Sequence, residues 1–127
     1  MIEINVGFKL RDVYDEVLPH NKHGYDNMHC KDLLSHLIAN DRKRKGIVGL
    51  FDKPWSTNKS FYFISEMMNS GHTMPVLLED FKHLMKLVKK SGIDNYLKGE
   101  IDNYILNLDW DKPKAKPEKK SIKKGRK

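Results

Sequence analysis

Beyond Asp109 the chain stops supplying material for a core. Residues 110–127 hold Ile122 as their one aliphatic side chain of any size, set among lysine, proline, serine and glycine. A segment of that make-up cannot bury enough apolar surface to offset the entropy of ordering it, so it is expected to be disordered when free. A fold has to come from residues 1–109, the length of one domain with one core of modest size. The expected organisation is a compact helical domain over 1–109 followed by a disordered basic Lys/Pro tail over 110–127.

The charge divides at the same place. Residues 1–109 carry 15 basic and 15 acidic side chains, whereas 110–127 carry 9 basic and 2 acidic. The formal net charge of +7 is therefore a property of the tail and not of the body. A neutral body need not attract polyanions; a lysine-rich extension does.

Within the first 109 residues the apolar periodicity outlines the elements. Ile2, Ile4 and Val6 alternate with polar residues, which predicts a short strand over 2–7. Leu10, Val13, Tyr14, Val17 and Leu18 follow helical spacing up to Pro19 and predict an amphipathic helix. Asp26 is placed to cap a second helix with Cys30, Leu33, Leu34, Leu37 and Ile38 on one face, running into Arg42-Lys43-Arg44-Lys45 and ending at Gly46. The apolar run 47–51 reads as a buried strand able to pair with 2–7. Ser56 or Thr57 caps a third helix to Met68, with Phe61, Ile64 and Met68 as the core stripe and Phe63 and Met67 on another side. A loop over 69–75 leads to a helix marked by Leu77, Phe81, Leu84, Met85 and Val88, closed by Lys89-Lys90-Ser91-Gly92. The stripe Ile93, Tyr96, Leu97, Ile101, Tyr104, Ile105 and Leu108 predicts the last helix. The fold class expected is mainly α within α+β, with about five helices over a small two-stranded sheet (2–7 and 47–51). No fixed-period repeat is present.

Several function classes lack their signatures. The single cysteine, Cys30, allows no internal disulfide and suits a reducing compartment. Neither a leader pattern nor an apolar run long enough for a membrane span is seen, so a cytoplasmic setting is expected. No G-x-S-x-G, Walker-type, G-x-G-x-x-G or H-E-x-x-H motif occurs. The carboxylates Asp12, Asp15, Glu16, Glu79 and Asp80 read as solvated helix-surface acids. His20, His23, His29, Cys30 and His36 form the densest group of soft-metal ligands. However, His29 and His36 would stand roughly 10 Å apart along a helix, and the spacing fits no zinc pattern. Cys30 is expected as a small buried apolar residue. No catalytic residue, cofactor or metal is expected; a small metal-dependent enzyme built on that cluster is the third reading. A helix-turn-helix module is disfavoured, because a strand-like segment and a Pro-containing loop separate the second and third helices.

The basic residues carry the functional expectation. Arg42, Lys43, Arg44, Lys45, Lys53 and Lys59 on the body, with Lys112, Lys114, Lys116, Lys119, Lys120, Lys123, Lys124, Arg126 and Lys127 in the tail, are the candidates for neutralising phosphates. Trp55, between lysines, is a candidate for stacking on a base. In its compact Lys-, Asn- and Ile-rich make-up without catalytic signature, the chain resembles the small host-modifying factors of bacteriophages, several of which act on RNA polymerase. That resemblance is one of composition and implies a non-enzymatic accessory or regulatory protein of nucleic-acid metabolism. Its body would dock on a protein partner such as RNA polymerase, and its tail would contact nucleic acid. The alternative is a pure protein-binding regulator or inhibitor with an incidental tail.

Overall fold

A computed structural model describes residues 1–20, 26–41 and 55–113. Among them lie four helices and four short strands: β1 (Ile2–Asn5), β2 (Pro19–His20), β3 (Asp26–Asn27), α1 (Cys30–Ala39), α2 (Thr57–Asn69), β4 (Thr73–Val76), α3 (Leu78–Lys90) and α4 (Asn95–Tyr104). The class is α+β, as expected, with four described helices where about five were predicted.

The alternation that predicts β1 runs further than residue 6. Ile4, Val6, Phe8 and Leu10 are all fully buried, so one extended segment lays four consecutive inward side chains into the core. Over Ile2–Asn5 it pairs antiparallel with β4, with Ile2 opposite Val76 and Asn5 opposite Thr73. The expected partner, 47–51, lies outside the described residues. Residues 73–75 were expected in the loop over 69–75, but Thr73–Val76 forms a strand. Here Pro75 lies opposite Glu3 in a two-stranded ladder, and an outer strand tolerates a residue that lacks an amide donor. At Gly7 the extended segment approaches His72 so closely that a Cβ would lie 2.8 Å from the His72 Cα. A side chain there would force the backbones apart.

From the Val6 carbonyl onward the segment takes a second partner. Its carbonyls accept from the start of α1, Cys30 N–H to Phe8 O at 2.9 Å and Lys31 N–H to Val6 O at 2.9 Å. This docks α1 directly on the strand.

The helix predicted over 10–18 does not form. Val13 and Tyr14 are 63% and 81% exposed, and the chain instead reverses at residues 12–16. The Asp12 carboxylate accepts from the amides of Tyr14 and Glu16, and Asp15 takes a left-handed φ of 63°. Leu10 fits both the helical and the alternating pattern. The alternating one prevails because it buries Phe8 and Leu10 together, while a helix of about nine residues is marginal alone and Asp12 offers its amides a local alternative. Leu18 then donates to Leu10 O and Met28 to Leu18 O, and β2 pairs with β3. Asp26 therefore belongs to a strand, and the cap of α1 is His29, whose amide donates to Asp32 Oδ2 at 2.8 Å. α1 ends at Ala39, well before Gly46, and 42–46 lie outside the described residues.

α2 begins where predicted, with Ser56 Oγ accepting from Lys59 N–H. Its faces largely reverse the prediction: Phe63 and Met67 are buried against the core, while of the predicted stripe Phe61 and Met68 are exposed and Ile64 packs partly buried against the core. Both stripes have helical spacing, so periodicity cannot rank them; docking on α1 selects one. α3 and α4 follow the predicted stripes in their central residues, with Leu84, Val88, Ile101 and Ile105 buried; Leu87, outside the predicted stripe, is buried too, while Leu77, Tyr96 and Leu108 are exposed. Asp94 caps α4 through Leu97 N–H. No helix among the described residues is long and apolar enough to cross a membrane.

Candidate nucleic-acid interface

Arg42, Lys43, Arg44, Lys45 and Lys53 lie in 42–54, outside the described residues, but the two residues flanking that segment meet on one side chain. Asp41, at the end of α1, brings Oδ2 to 3.7 Å from His83 Nε2. Trp55, just before α2, stacks on the same imidazole with ring centroids 4.5 Å apart and an interplanar angle of 11°. α3 thus supplies one histidine that anchors both ends of the basic segment. Trp55 also packs on Phe63 at 4.7 Å, and Lys59 Nζ lies 4.9 Å from its ring centroid while pairing with Asp80 at 2.8 Å. The ring expected to stack on a base is thus already stacked on a protein ring, and the Lys59 charge already faces a carboxylate. Both residues serve packing at this corner.

Burial of the His83 imidazole holds its pKa below the ordinary value of 6.5, outweighing the opposite pull of Asp41 and Asp80; Lys59 and Lys86 add to the lowering. The unfolded chain therefore takes up the proton more readily. The associated stability is whole above pH 6.5 and is lost as the pH falls below that value, until the lowered folded-state pKa is passed. Denaturant midpoints recorded from about pH 8 down to about pH 5 should fall on the acid side, and His83→Gln should flatten that part of the profile. An unchanged profile in the variant would assign the acid loss elsewhere.

The tail has a built root. Trp110 stacks on Tyr104 of α4 at 4.2 Å and 11°, and the Arg11 guanidinium lies 5.8 Å from the Trp110 ring centroid. Asp111 Oδ2 accepts from Lys9 N–H at 2.7 Å, and its Oδ1 lies 3.3 Å from Arg11 Nη2. Asn5, fully buried, donates from Nδ2 to Asn107 O and Trp110 O, both at 2.9 Å, and accepts from Gly7 N–H. His72 Nε2 lies 2.9 Å from the same Trp110 carbonyl. The packed body therefore continues past the predicted boundary at 109/110, at least to Asp111. Lys112 is exposed there; Lys114, Lys116, Lys119, Lys120, Lys123, Lys124, Arg126 and Lys127 lie outside the described residues.

The contacts of Asn5, Lys9 and Arg11 with this root join residues about a hundred positions apart, so sequence spacing could not have shown them. The hint available was a tryptophan at 110, out of character with the lysines that follow.

The histidine group is not assembled as a ligand set among the described residues, where no three His, Cys, Asp or Glu side chains converge in a way that could hold a metal ion. His23 lies outside them. Cys30 is fully buried, and that burial, with Asp32 nearby, pushes its thiol far above the usual range; this is the reverse of what a thiolate nucleophile needs. His29 caps α1, and His36 sits in its last turn, where Asn40 Nδ2 donates to the His36 carbonyl.

No protein-family model, no curated protein and no solved structure matches this chain.

Proposed function

We propose that the chain is a non-enzymatic accessory protein of nucleic-acid metabolism, of the transcription-regulating kind. In this reading the body docks on RNA polymerase or another nucleic-acid enzyme, and the tail contacts the nucleic acid. The observation that carries the reading is the charge division in the sequence beyond the packed root at Trp110 and Asp111. Residues 1–113 hold 16 basic and 16 acidic side chains, and 114–127 hold 8 basic and 1 acidic. Moving the boundary to Pro113 leaves the whole surplus of +7 in the last fourteen residues. A polyanion is the partner that such a segment attracts, without sequence preference and with strong dependence on salt. The Trp110–Asp111 root fixes where the tail leaves the body. The test is binding of a labelled nucleic acid by the full chain and by a chain ending at Pro113; equal binding by the two would remove the tail from the reading.

A second reading, a protein-binding regulator with an incidental tail, is favoured by one feature of α2. Phe61 and Tyr62 are 63% and 69% exposed and pack edge to face on each other, and paired aromatics are typical anchors of protein interfaces. Under this reading Phe61→Lys with Tyr62→Lys lowers recovery of a protein partner from nuclease-treated lysate by about tenfold or more, while loss of 114–127 leaves recovery unchanged. Recovery that follows the tail instead returns the assignment to the first reading.

A further inference from the structure

The balanced charge of the body conceals an uneven distribution. Along α3, Lys82, Lys86, Lys89 and Lys90 are all exposed and recur at i, i+4, i+7 and i+8, which places them on one helical face. Residues 82–98 hold five lysines against one carboxylate, Asp94, and that carboxylate is occupied in capping α4. The α3 acids are confined to its first turn, at Glu79 and Asp80, where Asp80 pairs with Lys59 of α2. Among the described residues no ion pair engages Lys82, Lys86 or Lys89. The acids that balance the body lie elsewhere, including the exposed reversal with Asp12, Asp15 and Glu16.

Two ordinary explanations do not cover this face. A helix dipole favours cations in the last turn, which accounts for Lys89 and Lys90 but not for Lys82 or Lys86 earlier in the helix. A solvated helix face normally mixes signs. This one places like charges at Lys82/Lys86 and Lys86/Lys90, each spacing unfavourable by about 0.2–0.5 kcal/mol. Beside the stripe, an open groove of about 300 Å³ runs between α3 and α4, lined by Lys86, Lys89 and Lys98 with Met85, Val88 and Asp102. Lys98 Nζ donates to the Lys89 carbonyl at 2.9 Å, which holds the α4 lysine at the stripe's edge. From Lys82 to Lys90 the face spans roughly 12 Å along the helix axis, about the axial length of three or four successive phosphates of one duplex strand.

We infer that the lysine face of α3, with Lys98 of α4 at its edge, is a second contact surface for a phosphodiester backbone, carried by the folded body. It deepens the nucleic-acid reading above and rests on it. The body surface and the tail would engage the same polyanion, with the tail supplying reach and the rigid face supplying orientation.

The test uses the full chain with Lys82, Lys86 and Lys89 all changed to Gln, beside the Lys→Arg triple variant as a charge-preserving control. Both are titrated onto a labelled DNA duplex of about 20 base pairs and a single-stranded RNA of about 20 nucleotides, between about 50 and 200 mM KCl. With all three lysines engaged, the plot of log affinity against log salt becomes shallower by about 2.7 on the duplex, or by about 2 on the single strand, and the Arg variant keeps the original slope. A change on one of the two probes supports the inference and identifies the nucleic acid. An unchanged slope in a Gln variant that melts like the original chain overturns it. If loss of 114–127 still weakens binding in that case, the proposed function stands without this surface; if the unaltered chain binds neither probe at the lowest salt, both fall.

Discussion

Deleting residues 114–127 is expected to leave the fold standing and to remove most of the salt-dependent affinity for nucleic acid. The structural side follows from composition and from the root: residues 114–127 hold Ile122 as their one aliphatic side chain of any size, and the deletion keeps Trp110 on Tyr104 and Asp111 on Lys9 and Arg11. Stability should therefore change by no more than about 0.5 kcal/mol, the usual range for alterations away from packed groups. The binding side follows from counting charges. Eight basic residues are lost with one acidic. At full engagement each neutralised phosphate contributes about 0.9 to the logarithmic salt slope on duplex DNA and about 0.7 on a single strand. The plot should become shallower by about 7 on a duplex and by about 5 to 6 on a single strand. A full chain making contacts on that scale loses about 10³- to 10⁵-fold in affinity between about 50 and 200 mM salt. The measurement is a fluorescence-anisotropy titration across that range, with thermal melting of both chains as the control. A slope indifferent to the deletion would mean that the surplus charge plays no part in binding.

Asn5→Ala should be among the most damaging single changes in the body. The side chain has no solvent exposure and joins the N-terminal segment to residues 107–110: it donates to the carbonyls of Asn107 and Trp110 and accepts from the Gly7 amide. Alanine removes three hydrogen bonds at a buried position, each worth about 0.5–1.5 kcal/mol net, while the Asn107 carbonyl keeps the Trp110 amide, the Trp110 carbonyl keeps His72 Nε2 and the Gly7 amide keeps the His72 carbonyl. Those retained partners bring the expected total to about 2 kcal/mol, a sizeable share of the about 5–15 kcal/mol that holds a domain of this size. Asn5→Asp sharpens the expectation. It keeps the acceptor for Gly7 but turns a carboxylate toward two carbonyl oxygens, so it should cost at least as much as alanine near neutral pH. Denaturant unfolding followed by tryptophan fluorescence gives both the loss and the fate of Trp110, whose carbonyl accepts one of these bonds. A loss under about 1 kcal/mol would show that the root is held by the Trp110–Tyr104 stack and the Asp111 contacts instead.

The two errors in reading the body share a cause. Leu10, Val13, Tyr14, Val17 and Leu18 satisfy helical spacing, yet Leu10 also completes the alternation Ile4, Val6, Phe8, Leu10, and only the strand reading buries Phe8. In α2 the choice between the Phe61 stripe and the Phe63 stripe is a choice between two good helical faces. In each case local pattern left two answers, and contact with a distant element decided between them: the start of α1 in the first, α1 itself in the second. β4 escaped notice because Pro75 reads as a breaker unless the strand is known to lie at an edge. Of the candidate interface, the charge division between body and tail was legible from counting alone. The lysine spacing on α3 was equally visible, but whether that face is covered cannot be read from spacing.

The sequence by itself determined the helix stripes of α1, α3 and α4, the Ser56 start of α2, the strand at the N-terminus and the confinement of surplus charge to the C-terminal end, because each rests on local periodicity or on composition. Tertiary structure alone decided the partner of β1, the buried face of α2, the anchoring of Asp41 and Trp55 on His83, and the extension of the packed body to Asp111. Those depend on pairings between residues tens to about a hundred positions apart, where burial of one side chain is settled by which surface arrives to cover it.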